Sequence, residues 1–384
     1  MIKILVLIDS SSEFNRRFLT GLLDYANENG PWQFYRLPHY FLTSNGEKSL
    51  INRVNEWEID AIISQWGSEN LDFLEKLGIP VFIQSYKSIN PNFSKIAGDY
   101  QKVGRMAAEF FIKKLYRNFA YYGNKNYYWS KARSEGFREV VEKVDGNYFE
   151  FESEALNAYY WGRTHSALQK WLLSLPKPIA LMACDDYFAL QVSEICKING
   201  IDIPNEILLL GVDNDELICN LSHPSISSIV TDDRQGGYET GKMLHERIIT
   251  KQRTPFDIII DALRIEQRMS TESYNINDQS IKKIVEYIEN HVTSPLAIDD
   301  LAFIAHMSRR KLELKFKAAT GNTIHRFITD KKVNWIASQL ISTDKSLLDL
   351  ALEAGYNDVR SVYRIFKETM DITPQNYRKK YSKS

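Results

Sequence analysis

Short apolar runs alternate with longer amphipathic stretches over residues 1–265. Ile2–Ile8, Ile179–Ala183 and Leu208–Val212 are apolar at nearly every position, the pattern of strands covered on both faces. Further runs at Trp32–Arg36, Ala61–Ser64, Val81–Gln84, Phe119–Tyr122, Tyr148–Phe151 and Phe256–Ile260 bring the predicted strands to nine. Helical spacing recurs between them over Phe14–Glu28, Leu71–Lys76, Gln101–Tyr116, Lys131–Lys143, Arg163–Leu173, Tyr187–Asn199 and Arg234–Thr250. This alternation predicts an α/β body of doubly wound parallel sheets with helices on both faces. Nine strands divide more naturally over two lobes than one. The first lobe is expected to hold about residues 1–98 and 231–265, and the second about 99–230. The chain crosses between them near Ile96–Asp99 and Ser227–Thr231, with a third crossing left open.

From Ile281 the period becomes helical throughout, and two stretches repeat one plan. In Ile298–Lys317, Leu301, Ile304 and Ala305 form an inward face. Asp299 and Asp300 open that helix, where negative charge suits its dipole. Ser308 is placed to cap a second helix anchored by Leu312 and Phe316. In Leu347–Lys367, Leu347, Leu350 and Ala351 face inward, Gly355 supplies the turn, and Val362 and Phe366 anchor the second helix. A long helix over Thr323–Leu340 joins the two. The expectation is an all-α domain of two helix-turn-helix units over residues 280–384, preceded by a polar linker at 266–279. The predicted second helices present Ser308, Arg309, Arg310 and Glu313 in one unit and Arg360, Ser361, Tyr363 and Arg364 in the other. Such side chains reach phosphates and base edges in a major groove.

Charge sharpens this division. The net charge of −1 alone would argue against nucleic acid. From Asp278 onward, however, there are 18 lysines and arginines against 13 aspartates and glutamates, while the preceding residues hold 30 against 36. A basic end on an acidic body fits a DNA-binding module attached to something else. No apolar run is long enough to cross a bilayer, and Met1–Asp9 reads as a strand rather than a signal peptide. Three cysteines, Cys184, Cys196 and Cys219, lack metal-ligand spacing and fit a reducing cytoplasm. Neither a Gly-rich phosphate loop, a His-Glu-x-x-His pair nor a nucleophile elbow is present, so the expectation is no enzyme, no cofactor and no metal.

The C-terminal block resembles the DNA-binding domain of the AraC/XylS transcription activators. The residues carrying this are Leu301-Ala302, Met307-Ser308, Leu312, Phe316-Lys317, Gly321, Ile341, Gly355-Tyr356, Ile365-Phe366-Lys367 and Thr373 to Arg378. It departs from many members at Leu314, where a polar DNA contact is common. The body resembles the periplasmic-binding-protein-like sensor of the LacI/GalR repressors. That likeness rests on Arg133 to Phe137, Cys184 to Ala189, Leu210 to Asn214, Ser227-Ser228-Ile229 and Gly237 to Gly241. The repressors' usual N-terminal helix-turn-helix is not expected, because Met1 leads directly into the first strand. The pairing looks like that of the xylose-operon activators and their relatives. Phe14-Asn15-Arg16, Phe119 to Gly123, Trp129 four residues before Arg133, and Gly211 to Leu217 add to it.

Ligands of such two-lobed sheets sit at the C-terminal ends of strands. The candidates there are Phe14, Arg16, Trp129, Arg133, Asp185 and Asp213. Arg133 offers a planar fork for two hydroxyls, the aspartates accept hydroxyl hydrogen bonds, and Trp129 and Phe14 cover an apolar sugar face. Each has a plainer alternative: Asp185 and Asp213 serve turns, Trp129 is core, and Arg133 pairs with a surface carboxylate. Asp186 reads as a helix N-cap. The resemblances imply a cytoplasmic, sugar-responsive activator of pentose genes. Its expected partners are operator DNA, a small neutral monosaccharide (D-xylose first), RNA polymerase and a second copy of the chain. The alternative is a cytoplasmic sugar-binding or sugar-modifying protein whose C-terminal bundle only mediates assembly.

Overall fold

Apolar runs become strands because their alternate residues can be buried on opposite faces. In the strand Ile179–Ala183, Ile179, Leu181 and Ala183 enter one apolar cluster, while Ala180 and Met182 enter another. Ile4 and Val6 face one way from the first strand, and Leu5 and Leu7 the other. A computed structural model describes residues 1–37, 41–66, 72–85, 93–154, 158–252 and 254–381. Among them the chain divides into two compact units, Met1–Ser273 and Tyr274–Ser384.

The first unit holds two six-stranded sheets among the described residues. One is built from β1 (Ile2–Leu7), β2 (Trp32–Arg36), β3 (Ala61–Trp66), β4 (Val81–Ser85), β5 (Ser94–Gly98) and β11 (Asp257–Ile260), in the order β11-β5-β4-β3-β1-β2. The other is built from β6 (Asn118–Asn124), β7 (Asn147–Ser153), β8 (Ile179–Ala183), β9 (Ile207–Val212), β10 (Ser227–Thr231) and β12 (Ala262–Glu266), in the order β12-β10-β9-β8-β6-β7. All pairings are parallel except β10 with β12. The helices are α1 (Glu13–Asn29), α2 (Phe41–Trp57), α3 (Asp72–Glu75), α4 (Tyr100–Lys113), α5 (Tyr128–Glu142), α6 (Ala158–Ser174), α7 (Asp186–Asn199), α8 (Glu216–Leu221) and α9 (Asp233–Thr250).

The α/β expectation therefore holds, and three strands beyond the predicted nine account for the crossings. β5 and β10 occupy the segments read as crossings; β11 adds a further parallel strand beyond β5, while β12 adds an antiparallel one beyond β10. The third crossing is at Asp261, between β11 and β12. Asp99, Asp232 and Asp261 meet there: the amide of Asp232 donates to Asp261 O at 2.9 Å, and Lys102 Nζ lies 2.5 Å from Asp261 Oδ1. Two boundaries need correction. β12 pairs with β10, so residues 262–265 belong to the second lobe rather than the first. The expected linker is also part of the body as far as a 3-10 turn at Met269–Thr271, where Ser270 and Thr271 are fully buried and Ser270 Oγ donates to Leu209 O. A polar sequence concealed that tie because its hydroxyls satisfy strand backbone. The predicted helix at Leu71–Lys76 starts outside the described residues. α2 was unpredicted; a break at Gly46, with φ of 72°, interrupts its pattern.

Helix pairs in each lobe touch at glycines. A Cβ on Gly237 of α9 would lie 1.8 Å from Phe18 O of α1, and one on Gly136 of α5 would lie 2.1 Å from Gln101 O of α4. Gly136 and Gly237 are thus where the backbones approach too closely for any side chain.

The second unit comprises α10 (Gln279–Asn290), α11 (Ile298–Ile304), α12 (Arg309–Thr320), α13 (Ile324–Ser342), α14 (Leu347–Glu353), α15 (Val359–Met370) and α16 (Pro374–Tyr381). The repeat expected from sequence extends to individual hydrogen bonds. Ala305, His306 and Met307 donate to Leu301, Phe303 and Ala302; Ala354, Gly355 and Tyr356 donate to Leu350, Leu352 and Ala351. His306, at φ of 51°, fills the left-handed position that Gly355 fills at 75°. The second turn is one residue longer, so Arg310 corresponds to Arg360 and Leu314 to Arg364. No described helix is long and apolar enough to cross a membrane.

Candidate functional site

The ends of β8, β9 and β10 in the second lobe and of β1 and β3 in the first bring the predicted ligand residues to the cleft side of the body. Arg133 projects from α5 with its side chain buried. Its Nη1 donates to Cys184 O, and its Nη2 lies 3.1 Å from Asp213 Oδ1. The guanidinium stands over Trp129, 4.9 Å from the ring centre, and near Tyr100 at 5.6 Å. Both ends of the fork expected to grip a ligand are therefore engaged within the protein. Nε is buried and has no partner.

Asp213 and Asn214 adopt left-handed φ of 92° and 49°, costly for side chains other than glycine. The surroundings over-determine this turn. The Asp213 amide donates to Ile229 O at 2.9 Å, the Asn214 amide to Ser228 Oγ at 2.9 Å, and the Asp215 amide to Asp186 Oδ2 at 2.7 Å. Arg268 Nη2 donates to Asn214 Oδ1 at 2.8 Å. Asp186 is fully buried, and burial raises its pKa well above the carboxylate range. It is not the N-cap expected from sequence. Asp185 caps α7 instead, accepting from the Phe188 amide at 2.8 Å. Burial and the charge of Asp213 push the Asp185 pKa up to about 7, against the pull of the Phe188 amide.

From the first lobe, Arg16 and Arg17 reach across. Arg16 Nη2 lies 3.3 Å from Asp215 Oδ2. Arg17 Nη1 and Nη2 donate to the carbonyls of Asp213 and Asn214 at 3.3 and 2.8 Å. Glu13 pairs with both arginines, at 2.9 and 3.0 Å. Arg17 was missed from sequence; its signal was the Glu13 spacing of four along a helix that faces the cleft. Phe14, on the first turn of α1, packs against the cluster of Ile4 and Val6. Trp129 is half-buried against the second lobe's core and stacks on Tyr127 at 5.2 Å.

A second omission is Asp233. Adjacent acids at 232–233 are unpromising in sequence because neighbours point apart. Asp233 is nevertheless fully buried, and neither carboxylate oxygen makes a hydrogen bond of good geometry. Burial, then the charge of Asp213, pushes its pKa up to about 8; the nearby Thr231 hydroxyl and Arg17 lower it. Asn15 is also buried, with Nδ2 donating to Asp9 O at 2.6 Å and to Gln65 Oε1 at 3.2 Å while Oδ1 has no partner. Such orphaned polar groups are uncommon in a folded interior.

In the second unit, Ser308 caps α12 by accepting from the Lys311 amide. Asp358 caps α15 and holds the Ser361 hydroxyl at 2.9 Å. Arg309 is tied to Glu313 at 3.0 Å and to Asp299 at 3.4 Å. Arg310, Arg360, Tyr363 and Arg364 are exposed, and none forms an ion pair among the described residues. Leu314 is 64% exposed beside Arg310, Lys311 and Lys315.

A family described as a periplasmic binding protein-like domain matches residues 108–271, and a helix-turn-helix domain family matches residues 301–380. The chain is 26% identical over 385 residues to a xylose operon regulatory protein of Haemophilus influenzae, covering 98% of each. It is 26% identical over 393 residues to the Escherichia coli K12 protein of that name, covering 98% of this chain and 96% of the relative. A solved structure of a xylose-binding transcription activator, xylR, superposes with a TM-score of 0.61 at 24% identity, over 99% of this chain and 98% of that one. The chain joins a periplasmic binding protein-like body to an AraC-type helix-turn-helix domain and is a DNA-binding transcription regulator.

Proposed function

We propose that this regulator is sugar-responsive, binding a small uncharged monosaccharide, D-xylose first, in the body's cleft and activating genes for pentose use. The observation that carries the reading is the end-to-end similarity to proteins named as xylose operon regulators. The cleft chemistry supports an uncharged ligand. Arg133, Arg16 and Arg17 are matched by Asp213, Asp215 and Glu13, which leaves no surplus of positive charge. A sugar phosphate or sugar acid would meet carboxylates there with no free cation to offset them. Hydroxyls, in contrast, suit acids and amides that both accept and donate.

DNA is read by α12 and α15, with Arg310, Arg360 and Arg364 meeting phosphates or guanine edges. Tyr363 stands beside them. Ser308 and Ser361 stand at the helix starts, and the Arg309–Glu313 pair opens only if DNA outcompetes it. Leu314 offers the apolar contact that a thymine methyl makes. A homodimer and contact with RNA polymerase complete the proposal, as does a role in regulation rather than catalysis.

Calorimetry of the full chain against pentoses, hexoses, a sugar phosphate and a sugar acid tests the ligand class. Saturable heat with D-xylose and none with the anions is expected. Tight binding of an anionic sugar, with none of D-xylose, would overturn the reading.

A further inference from the structure

Asp233 opens α9 directly after the chain's second crossing between lobes. Its burial is complete and neither oxygen makes a hydrogen bond of good geometry, with the Thr231 hydroxyl standing close, although a buried carboxyl group normally finds well-aligned donors. Capping does not account for it, because the cap position of α9 is Asp232. Close packing does not require it either, since Gly236 and Gly237 make the tight contacts of that helix. The first turns of α9 pack on α1, where a Cβ on Gly21 would lie 1.7 Å from Arg234 O and one on Gly237 1.8 Å from Phe18 O, and Arg17 of that same α1 reaches the carbonyls of Asp213 and Asn214 across the cleft. Asn15 Oδ1 in the first lobe and Arg133 Nε in the second are also buried without partners.

We propose that Asp233 is a ligand-contacting residue that holds one hydroxyl of an uncharged sugar from the first-lobe side of the cleft. The inference rests on the sugar reading above and deepens it. An acid kept neutral at this position donates its O–H to one ligand oxygen while its carbonyl accepts from a hydroxyl. Each lobe then supplies polar atoms that only the ligand satisfies, which couples occupancy to the position of the lobes.

The test is calorimetry of the full chain and of the Asp233→Leu and Asp233→Asn variants with D-xylose and its monodeoxy analogues. Both variants should melt at or above the wild-type temperature, because they remove a buried unpaired acid. Asp233→Leu should bind D-xylose more weakly by roughly tenfold or more, and Asp233→Asn by less. One deoxy analogue should lose affinity for the wild type but show no further loss in Asp233→Leu, identifying the hydroxyl held. If Asp233→Leu binds as tightly as wild type, or every analogue loses equally in both proteins, the assignment is overturned. A wild type that binds no sugar overturns the sugar reading as well.

Discussion

Replacing Arg133 with alanine is expected to destabilise the body by about 3–5 kcal/mol, the usual cost of breaking a buried pair from one side. The guanidinium holds three things together: the carbonyl at the end of β8, the strained turn after β9, and the face of Trp129. Its loss leaves Asp213 without its cation beside Asp185 and Asp233, whose pKa values the Asp213 charge already raises. Asp213 keeps 23% of its side chain accessible, so water relieves part of the penalty and the lower end of the range is expected. Arg133→Lys keeps the charge but cannot reach both acceptors, and should fall between. Denaturant unfolding of the three proteins checks this. A loss below about 1 kcal/mol for Arg133→Ala would show that the pair is solvated like a surface bridge.

The second large effect belongs to the DNA-binding unit. Phe366 is fully buried among Val333, Ile336, Leu340, Leu350 and Val362, with its ring 5.3 Å from Tyr377. Phe366→Ala should cost about 3–5 kcal/mol, because α13 and α14 both pack around this ring of α15 and cannot both close the space. The loss should be confined to Tyr274–Ser384. Trp335, the single tryptophan after residue 273, reports it: its fluorescence transition should move to lower denaturant while sugar binding by the body persists. Loss of sugar binding together with the Trp335 transition would contradict independent units.

Much of this architecture is legible in residue patterns. Strands buried on both faces announce themselves as apolar runs, and the doubled helix-turn-helix repeats down to its Leu301 and Leu350 anchors. What escaped depends on contacts distant in sequence. Ser270 and Thr271 look like linker until their hydroxyls meet β9 and β10. Arg133 looks free until the turn at Asp213 claims it. Asp233 looks like a spare surface acid because its burial depends on packing between α9 and α1, which are distant in sequence. His306 gives no turn signal, since its left-handed conformation is imposed by the helix contacts around it.

The central claim is that one chain couples sugar in the body to DNA at α12 and α15. A duplex selected from random sequence on the full chain supplies the DNA. Two enriched blocks about one helical turn apart are expected for each chain, the spacing required if each helix-turn-helix is to enter a major groove. The decisive measurement is D-xylose affinity of the full chain with and without that duplex. Coupling requires that the duplex change sugar affinity by the same factor as sugar changes duplex affinity, roughly 5–150-fold. Equal sugar affinities in the two titrations would contradict the account, because a ligand that does not distinguish the DNA-bound state cannot shift its population.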